Sequence, residues 1–178
     1  GPLLEFVHLV TQGGLLRERL ESQIRQIQFQ ISSGNRQRWE IDILRLVSLA
    51  AMLGSRVHAQ RLLDKMGISP SAGPLELLEA EYLLHWTENG EFLEGLHPIR
   101  SRLISEILRQ PLMPVWSQTA CECLPLLDTT TLRTYLTSAF AEDEEMALPI
   151  VDALRDYVPK TWGEKADVVN SLIWLGLS

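Results

Sequence analysis

The sequence predicts a mainly helical protein: a winged helix-turn-helix with one β-hairpin, followed by the first helices of a HEAT- or TPR-like α-solenoid. Three observations predict this. Apolar residues recur at helical spacing along most of the chain, an Asn-Gly pair lies between two apolar runs near its middle, and helical segments with short breaks follow Leu112. We therefore expect three parts: entry helices over 1–34, the winged-helix domain over 35–110, and helical repeats over 111–178.

The N-terminal part is predicted to contain two helices. Leu3–Thr11 is apolar and is followed by Gly13-Gly14, a pair that commonly ends a helix. Leu15–Ile31 then places Leu and Ile residues on one helical face, with charged residues elsewhere. The stretch Ser32-Ser33-Gly34-Asn35 is expected to end this second helix.

Three helices are predicted before the hairpin. Trp39–Leu53 is apolar on most sides, so we expect it to be the central buried helix. Ser55 is expected to cap a second, short helix that runs to Met66. Gly73-Pro74 opens the third helix, since proline is favoured at the first helical position.

A β-hairpin and a closing helix complete the winged-helix order. Tyr82–Trp86 and Glu91–Leu96 flank a connection that contains Asn89-Gly90, two residues that tolerate positive φ. Pro98 is expected to start a helix that runs to about Arg109.

Helices with short breaks follow. Asp128 is expected to cap the second of them, and Pro125 and Pro149 fall inside apolar helices, which they should kink. The helix prolines favour a HEAT-like over a TPR-like solenoid. The four helices are placed near 113–127, 129–141, 143–158 and 163–176.

Composition narrows the class of protein. Of the 178 residues, 46% are apolar and 22% are charged, which is ordinary for a globular domain. No apolar run is long enough to span a bilayer and no signal peptide is recognisable, so a cytoplasmic protein without membrane contact is expected. Cys121 and Cys123 lie two residues apart, which suits neither a helical disulfide nor a metal knuckle and fits a reducing compartment. The apolar segment Leu172–Leu177 suggests that the chain is a piece of a longer protein.

Charge argues against DNA binding by the winged helix. The net charge of −7 is uneven, at +3 over residues 1–70 and −10 over residues 71–178. The candidate recognition helix, Pro74–Glu81, has no Lys or Arg, and carboxylates along it would repel a phosphate-lined groove. The acidic residues of this helix and of the hairpin are Glu76, Glu79, Glu81, Glu88, Glu91 and Glu94.

No catalytic constellation is present in the sequence. It contains neither a G-x-S-x-G elbow nor a G-x-x-x-x-G-K-[ST] phosphate loop, so we assign no catalytic residue and expect no nucleotide to be bound by this chain alone. His8, His58 and His85 do not cluster with one another or with cysteines at metal-ligand spacing, and no metal site is expected.

His97 is the one candidate binding residue. It lies between the second hairpin strand and the helix that Pro98 starts. One interpretation is a helix cap that also fills space. The other is an imidazole that donates from the edge of the module to a phosphate. Both remain open from the residues alone.

Three stretches resemble the segment after the ATPase core of prokaryotic STAND NTPases of the antiviral Avs type, relatives of the NLR immune receptors. They are Gly1–Val7, the helix that contains Gln23, and Gly95–Ser101. The resemblance covers about residues 1–110. It implies an N-terminal effector, often a nuclease, then a P-loop ATPase, a winged helix, and repeats that recognise a phage protein.

In the NLR and apoptosome relatives of this family, a His in a Met-His-Asp motif of the winged helix contacts the β-phosphate of ADP. Leu96-His97-Pro98 matches the His and its position, whereas Leu replaces Met and Pro replaces Asp. The resemblance therefore implies that His97 contacts ADP or ATP, held with Mg in the parent protein. It also implies contact with the parent's own ATPase core and homo-oligomerisation once the repeats bind their trigger.

A second function remains open. The chain is then a helical scaffold or a transcription-regulator fragment whose winged helix binds protein or DNA without a nucleotide. A phosphate-loop motif upstream of this segment would distinguish the two.

Overall fold

Helices dominate the computed structural model, which describes residues 2–68, 73–87, 89–109, 114–142 and 144–177. A small three-stranded antiparallel sheet accompanies them. The elements in chain order are α1 (Pro2–Ser32), α2 (Trp39–Met52), β1 (Val57–His58), α3 (Ala59–Met66), α4 (Gly73–Ala80), β2 (His85–Trp86), β3 (Phe92–Glu94), α5 (Pro98–Ile107), α6 (Trp116–Cys123), α7 (Leu132–Glu142), α8 (Glu144–Asp156) and α9 (Trp162–Leu177).

The predicted break at Gly13-Gly14 is wrong, because α1 runs through both glycines. Glycine costs a helix roughly 1 kcal/mol relative to alanine, yet it keeps its backbone N–H and takes up helical φ and ψ readily. Glycine alone therefore need not interrupt a helix. The expected apolar face is present, since Leu20, Ile24 and Ile27 are buried.

Helix α2 is the central helix, as predicted. Its residues from Ile43 to Ala50 are all buried, and it packs against α5, α6 and the sheet. It ends before Gly54, which adopts a positive φ of 77°. Because α2 is covered by elements from both halves of the chain, one hydrophobic core continues from Leu20 to Leu154. The domain boundaries at 34 and 110 remain predictions, and the core crosses both.

The sheet contains a strand that the sequence analysis missed. The strand order is β1-β3-β2, with Val57 opposite Leu93 and His85 opposite Glu94. The predicted cap at Ser55 is wrong, because β1 precedes α3 and Ser55 Oγ instead lies 2.6 Å from Thr131 Oγ1. The hairpin itself is confirmed, although its strands are shorter than predicted.

Helices α7, α8 and α9 begin and end within three residues of their predicted bounds, whereas α6 spans only Trp116–Cys123 of the predicted 113–127. Asp128 caps as expected: its carboxylate accepts the N–H of Thr130 at 2.9 Å, at the start of a 3₁₀ turn that leads into α7. Pro149 lies inside α8 as predicted. Pro125 does not kink a helix, because α6 ends at Cys123 and Pro125 lies in a following 3₁₀ turn. Proline has no N–H to continue the ladder.

In this last part of the chain, each helix packs against the next helix but one. Helix α6 packs against α8, and α7 packs against α9 and α8. Within the described residues, no helix has both the length and the apolar character needed to cross a membrane.

Candidate functional site

His97 lies at the junction between β3 and α5, where it is exposed. Its backbone is extended (φ −162°, ψ 139°), and its Nδ1 atom accepts the N–H of Ile99 at 3.2 Å. Pro98 occupies the first turn, where a backbone N–H has no carbonyl partner within the helix. Proline therefore costs the helix no hydrogen bond there. The first of the two interpretations, a helix cap, is therefore present in the structure.

The cap also determines which ring nitrogen is available. An Nδ1 atom that accepts a hydrogen bond carries no proton, so the neutral imidazole has its proton on Nε2. No residue of the described chain accepts a hydrogen bond from Nε2 of His97. The exposed Nε2–H is therefore free to donate to a phosphate or other acceptor outside this chain, and capping does not exclude the second interpretation.

Close packing holds the backbone that leads to His97. A Cβ atom added to Gly95 would lie 2.1 Å from Ser101 Oγ and 3.0 Å from Ala51 Cβ. Ser101 is buried and belongs to α5, and Ala51 belongs to α2. Only glycine lets the chain pass between these two helices at this point.

We expect Gly95→Ala to lower the free energy of unfolding by about 1–3 kcal/mol, the usual cost of overpacking. Ser101 Oγ can rotate only within a buried site, and the Ala51 methyl cannot rotate away. Urea unfolding measures the change. The matched control is Gly163→Ala, whose new Cβ would meet its nearest neighbour at 3.7 Å and should cost nothing. Equal stability of the two variants would contradict the tight junction.

A shallow cleft of about 390 Å³ lies beside the junction, lined by Leu96 and Pro98 among others. Two of its charged wall residues are already paired, although Nδ1 of His85 is buried without a hydrogen-bond partner among the described residues. His85 Nε2 lies 2.9 Å from Glu94 Oε1, and Arg56 Nε donates to Asp128 Oδ2 at 2.8 Å. We therefore do not place a ligand in this cleft.

The Arg56–Asp128 pair stabilises the charged form of the carboxyl. Burial by itself raises the pKa of Asp128, but the hydrogen bond from Thr130 N–H and the Arg56 guanidinium together hold it below its usual value. Because Arg56 follows α2 and Asp128 precedes α7, this ion pair joins the two halves of the chain.

Arg102 makes a second connection between the halves. Both of its terminal nitrogens donate to the Glu142 carboxylate, at the C-terminus of α7. The hydrogen bonds from Arg102 hold the pKa of Glu142 below its usual range. Arg102 directly follows the Gly95–Ser101 stretch, but its partner is 40 residues away in sequence, so sequence reasoning did not find the pair.

The acidic residues expected to oppose DNA have different surroundings. Glu76 is exposed, in the first turn of α4. Glu79 accepts the N–H of Trp86 at 3.1 Å, and Glu81, which follows α4, accepts two hydrogen bonds from Arg36. Two of these three carboxylates therefore stabilise the fold as well as contributing negative charge. Glu88 lies outside the described residues.

The other histidines lie in separate places. His58 occupies the N-cap position of α3 without a side-chain cap hydrogen bond and lies edge-on to Phe92, and His85 belongs to β2. The side chain of His8 is not among those that the structure describes. Across the described ranges, no three His, Cys, Asp or Glu side chains are grouped closely enough to hold a metal ion.

Comparisons with protein-family models, curated proteins and solved structures found no match to this chain. The resemblance to STAND NTPases therefore rests on the residues quoted above.

Proposed function

We propose that this chain is the winged-helix regulatory module and the first sensor repeats of a STAND ATPase of bacterial antiviral defence. The observation that carries the proposal is His97: its ring is held by its own helix cap, and its Nε2–H faces outward from the junction of β3 and α5. The chain alone is proposed not to be an enzyme.

The order of the elements supports a winged helix. Helices α2, α3 and α4 are followed by the hairpin of β2 and β3, and β1 between α2 and α3 completes an antiparallel sheet. This order and pairing are typical of winged helix-turn-helix domains.

The packing of the last four helices supports a solenoid. In stacked helical pairs, each helix packs against the corresponding helix of the next pair. The contacts of α6 with α8 and of α7 with α9 follow that scheme. We propose that a phage protein binds the continuation of this array.

Two ion pairs offer a route from the repeats to the nucleotide. Arg102–Glu142 connects α5, which His97 caps, to α7 of the proposed repeats, and Arg56–Asp128 connects the segment after α2 to the same region. Movement of the repeats would therefore pull on the helix that positions His97. In the resting state His97 would hold the winged helix against ADP in the ATPase core. Trigger binding would release it, and the protein would oligomerise and activate its effector.

His97 supplies only one hydrogen-bond donor, so this chain would form an edge of the nucleotide site. The Gly-rich loop that cradles phosphates and the ligands of Mg would come from the ATPase core of the parent.

In the full-length parent, we expect His97→Ala to weaken ADP binding by about tenfold or more. A charge-assisted hydrogen bond contributes roughly 1.5–3 kcal/mol, and about 1.4 kcal/mol corresponds to one decade. Because ADP stabilises the resting state, the variant should also show effector activity without its trigger. Calorimetry with ADP, a melting curve and an effector assay measure the three effects.

His97→Asn separates the two roles of the residue. Asparagine is a good N-cap, so this variant should recover the ~1 kcal/mol of stability that alanine loses, but its short side chain does not reach a phosphate. ADP binding should stay weak in both variants. Normal ADP affinity in His97→Ala, with only a lower melting temperature, would leave the residue as a cap and refute the nucleotide role.

We further propose that the parent is cytoplasmic, which the free thiols of Cys121 and Cys123 support, and that the winged helix does not bind DNA directly. The sequence upstream of this segment tests the class of protein. A G-x-x-x-x-G-K-[ST] motif between a strand and a helix would support the ATPase, and its absence would favour the scaffold or transcription regulator.

A further inference from the structure

A second cleft, of about 420 Å³, lies between α1 and the first turn of α5. Arg19, Ser22 and Gln23 line it from α1, and Arg100 lines it from α5. His97 does not line this cleft, so a ligand of the cleft is separate from the ADP phosphate that His97 is proposed to contact.

Within the part of the chain that the structure describes, the two arginines of the cleft have no carboxylate partner. Neighbouring arginines on the same helices are paired: Arg17 lies 2.9 Å from Glu106, and Arg102 binds Glu142. Across the described residues, neither Arg19 nor Arg100 is within ion-pair distance of an acidic side chain, and the Nε atom of Arg100 is buried without a hydrogen-bond partner.

The arrangement is unfavourable without a counter-charge. Burial, and then the nearby positive charge of Arg19, lower the pKa of Arg100. One carboxylate also lines the cleft, that of Glu81, but Arg36 neutralises it with two hydrogen bonds of 2.8 and 3.0 Å. The net charge that faces the cleft is therefore positive, in a protein whose net charge is −7.

The remaining polar groups of the cleft are neutral donors. Ser22 contributes a hydroxyl and Gln26 an amide, whereas the amide of Gln23 already donates to the carbonyl of Glu81 at 3.3 Å. Guanidinium groups bind the oxygens of phosphate in a bidentate manner.

At the rim, Tyr82 is 69% exposed and its backbone has a positive φ of 56°, which is rare for a bulky residue. This residue lies at the end of α4, where the N–H of Leu83 bonds to the carbonyl of Leu78 at 3.0 Å, so its positive φ belongs to the helix end and only its exposed ring is offered to the cleft.

We propose that this cleft is a binding site for a phosphate group, held between the guanidinium groups of Arg19 and Arg100. The phosphate comes either from the free ion or from a nucleotide whose base lies against Tyr82; the second source departs from the expectation, drawn from the missing phosphate loop, that this chain alone binds no nucleotide.

The test is binding of inorganic phosphate to this chain, measured by calorimetry and by the rise in melting temperature, with chloride at equal ionic strength as the reference. We expect saturable binding that Arg19→Gln and Arg100→Gln each weaken by about tenfold or more, since each removes a charge-assisted hydrogen bond. Arg133→Gln is the matched control: like Arg19→Gln, it removes an exposed positive charge, here from α7, and it should leave binding unchanged. Because the titration uses this chain without an ATPase core, its outcome is independent of the proposed ATPase role.

A second measurement distinguishes loss of the phosphate site from a folding defect. Without phosphate, Arg19→Gln should melt at the wild-type temperature or above, because it relieves the repulsion between two like charges. A lower melting temperature would mean that Arg19 stabilises the fold and would overturn the proposal. Arg19 is exposed, so this variant carries the test if Arg100→Gln does not fold.

The source of the phosphate is tested with adenosine monophosphate. Binding tighter than that of inorganic phosphate, and weakened by Tyr82→Ala, supports a nucleotide. Binding no tighter than that of inorganic phosphate supports the free ion. Two results would refute the site. One is a melting temperature that rises no more in phosphate than in chloride. The other is a rise in phosphate that is as large in the Arg19→Gln/Arg100→Gln double variant as in the wild type.

Discussion

Arg36→Met should lower the free energy of unfolding by about 3–5 kcal/mol, the usual cost of removing one partner of a buried ion pair. Arg36 is 7% exposed and Glu40 is 1% exposed. The Arg36 Nε atom donates to Glu40 at 2.7 Å, and Nη1 donates to Glu81 at 2.8 Å. Methionine fills similar volume but leaves the Glu40 charge buried with a single donor, the N–H of Gln37.

The loss of stability expected for Arg36→Met is large because of where Arg36 lies. Arg36 lies between α1 and α2, Glu40 lies in the first turn of α2, and Glu81 follows α4, so one guanidinium holds three segments together. Burial by itself lowers the pKa of Arg36, but hydrogen bonds from the guanidinium to both glutamates raise it above its ordinary value, so the side chain stays charged.

Urea unfolding followed by circular dichroism measures the loss. Arg38→Met is the matched control, because Arg38 is exposed and makes no ion pair among the described residues, and we expect it to change stability by less than about 0.5 kcal/mol. Adding Glu40→Gln to Arg36→Met should recover part of the loss, because it removes the buried charge. Similar effects of Arg36→Met and Arg38→Met would show that the buried pair contributes little.

Leu93→Ala should lower the free energy of unfolding by about 2–5 kcal/mol, as is usual when a buried leucine is truncated. Leu93 is fully buried at the centre of β3, the middle strand of the sheet. It lies opposite Val57 of β1 and Trp86 of β2, and β3 packs against α2. Truncation therefore leaves a cavity where both strand pairs meet the central helix.

The control for this change is Leu96→Ala, three residues further along and 41% exposed, which should cost less than about 1 kcal/mol. Hydrogen exchange gives a local readout in addition to the loss of stability. Amides of the strands should exchange faster in Leu93→Ala, since the sheet loses its packing against α2. A loss no larger than that of Leu96→Ala would argue against a sheet centred on β3.

The resemblance and the structure contribute different parts of the proposal. The interpretation of His97 as a phosphate contact came from its place between a predicted strand and a predicted helix, together with the partial match of Leu96-His97-Pro98. The structure added the hydrogen bond of Nδ1 and hence the free Nε2–H. Sequence reasoning did not single out Arg19, because one of several arginines on an amphipathic helix looks like an ordinary solvent-exposed charge.

The sequence by itself determined the features that depend on neighbouring residues. Gly67 ends α3 in the left-handed region, Asp128 caps the turn before α7, and the Asn89-Gly90 turn joins β2 to β3. In each case a residue acts on backbone only a few positions away, so the residue type is sufficient. The burial of α2 follows similarly from its nearly continuous apolar surface.

Tertiary structure alone decided the features that join distant residues. Strand β1 exists because β3 lies beside it, Arg36 finds Glu81 45 positions away, and Arg102 finds Glu142 40 positions away. Valine and histidine at the start of a helix, or a single glutamate on a surface, carry no local signal of such partners. Packing of the hydrophobic core brings these groups together, and only then do their hydrogen bonds and charges stabilise one arrangement over the others.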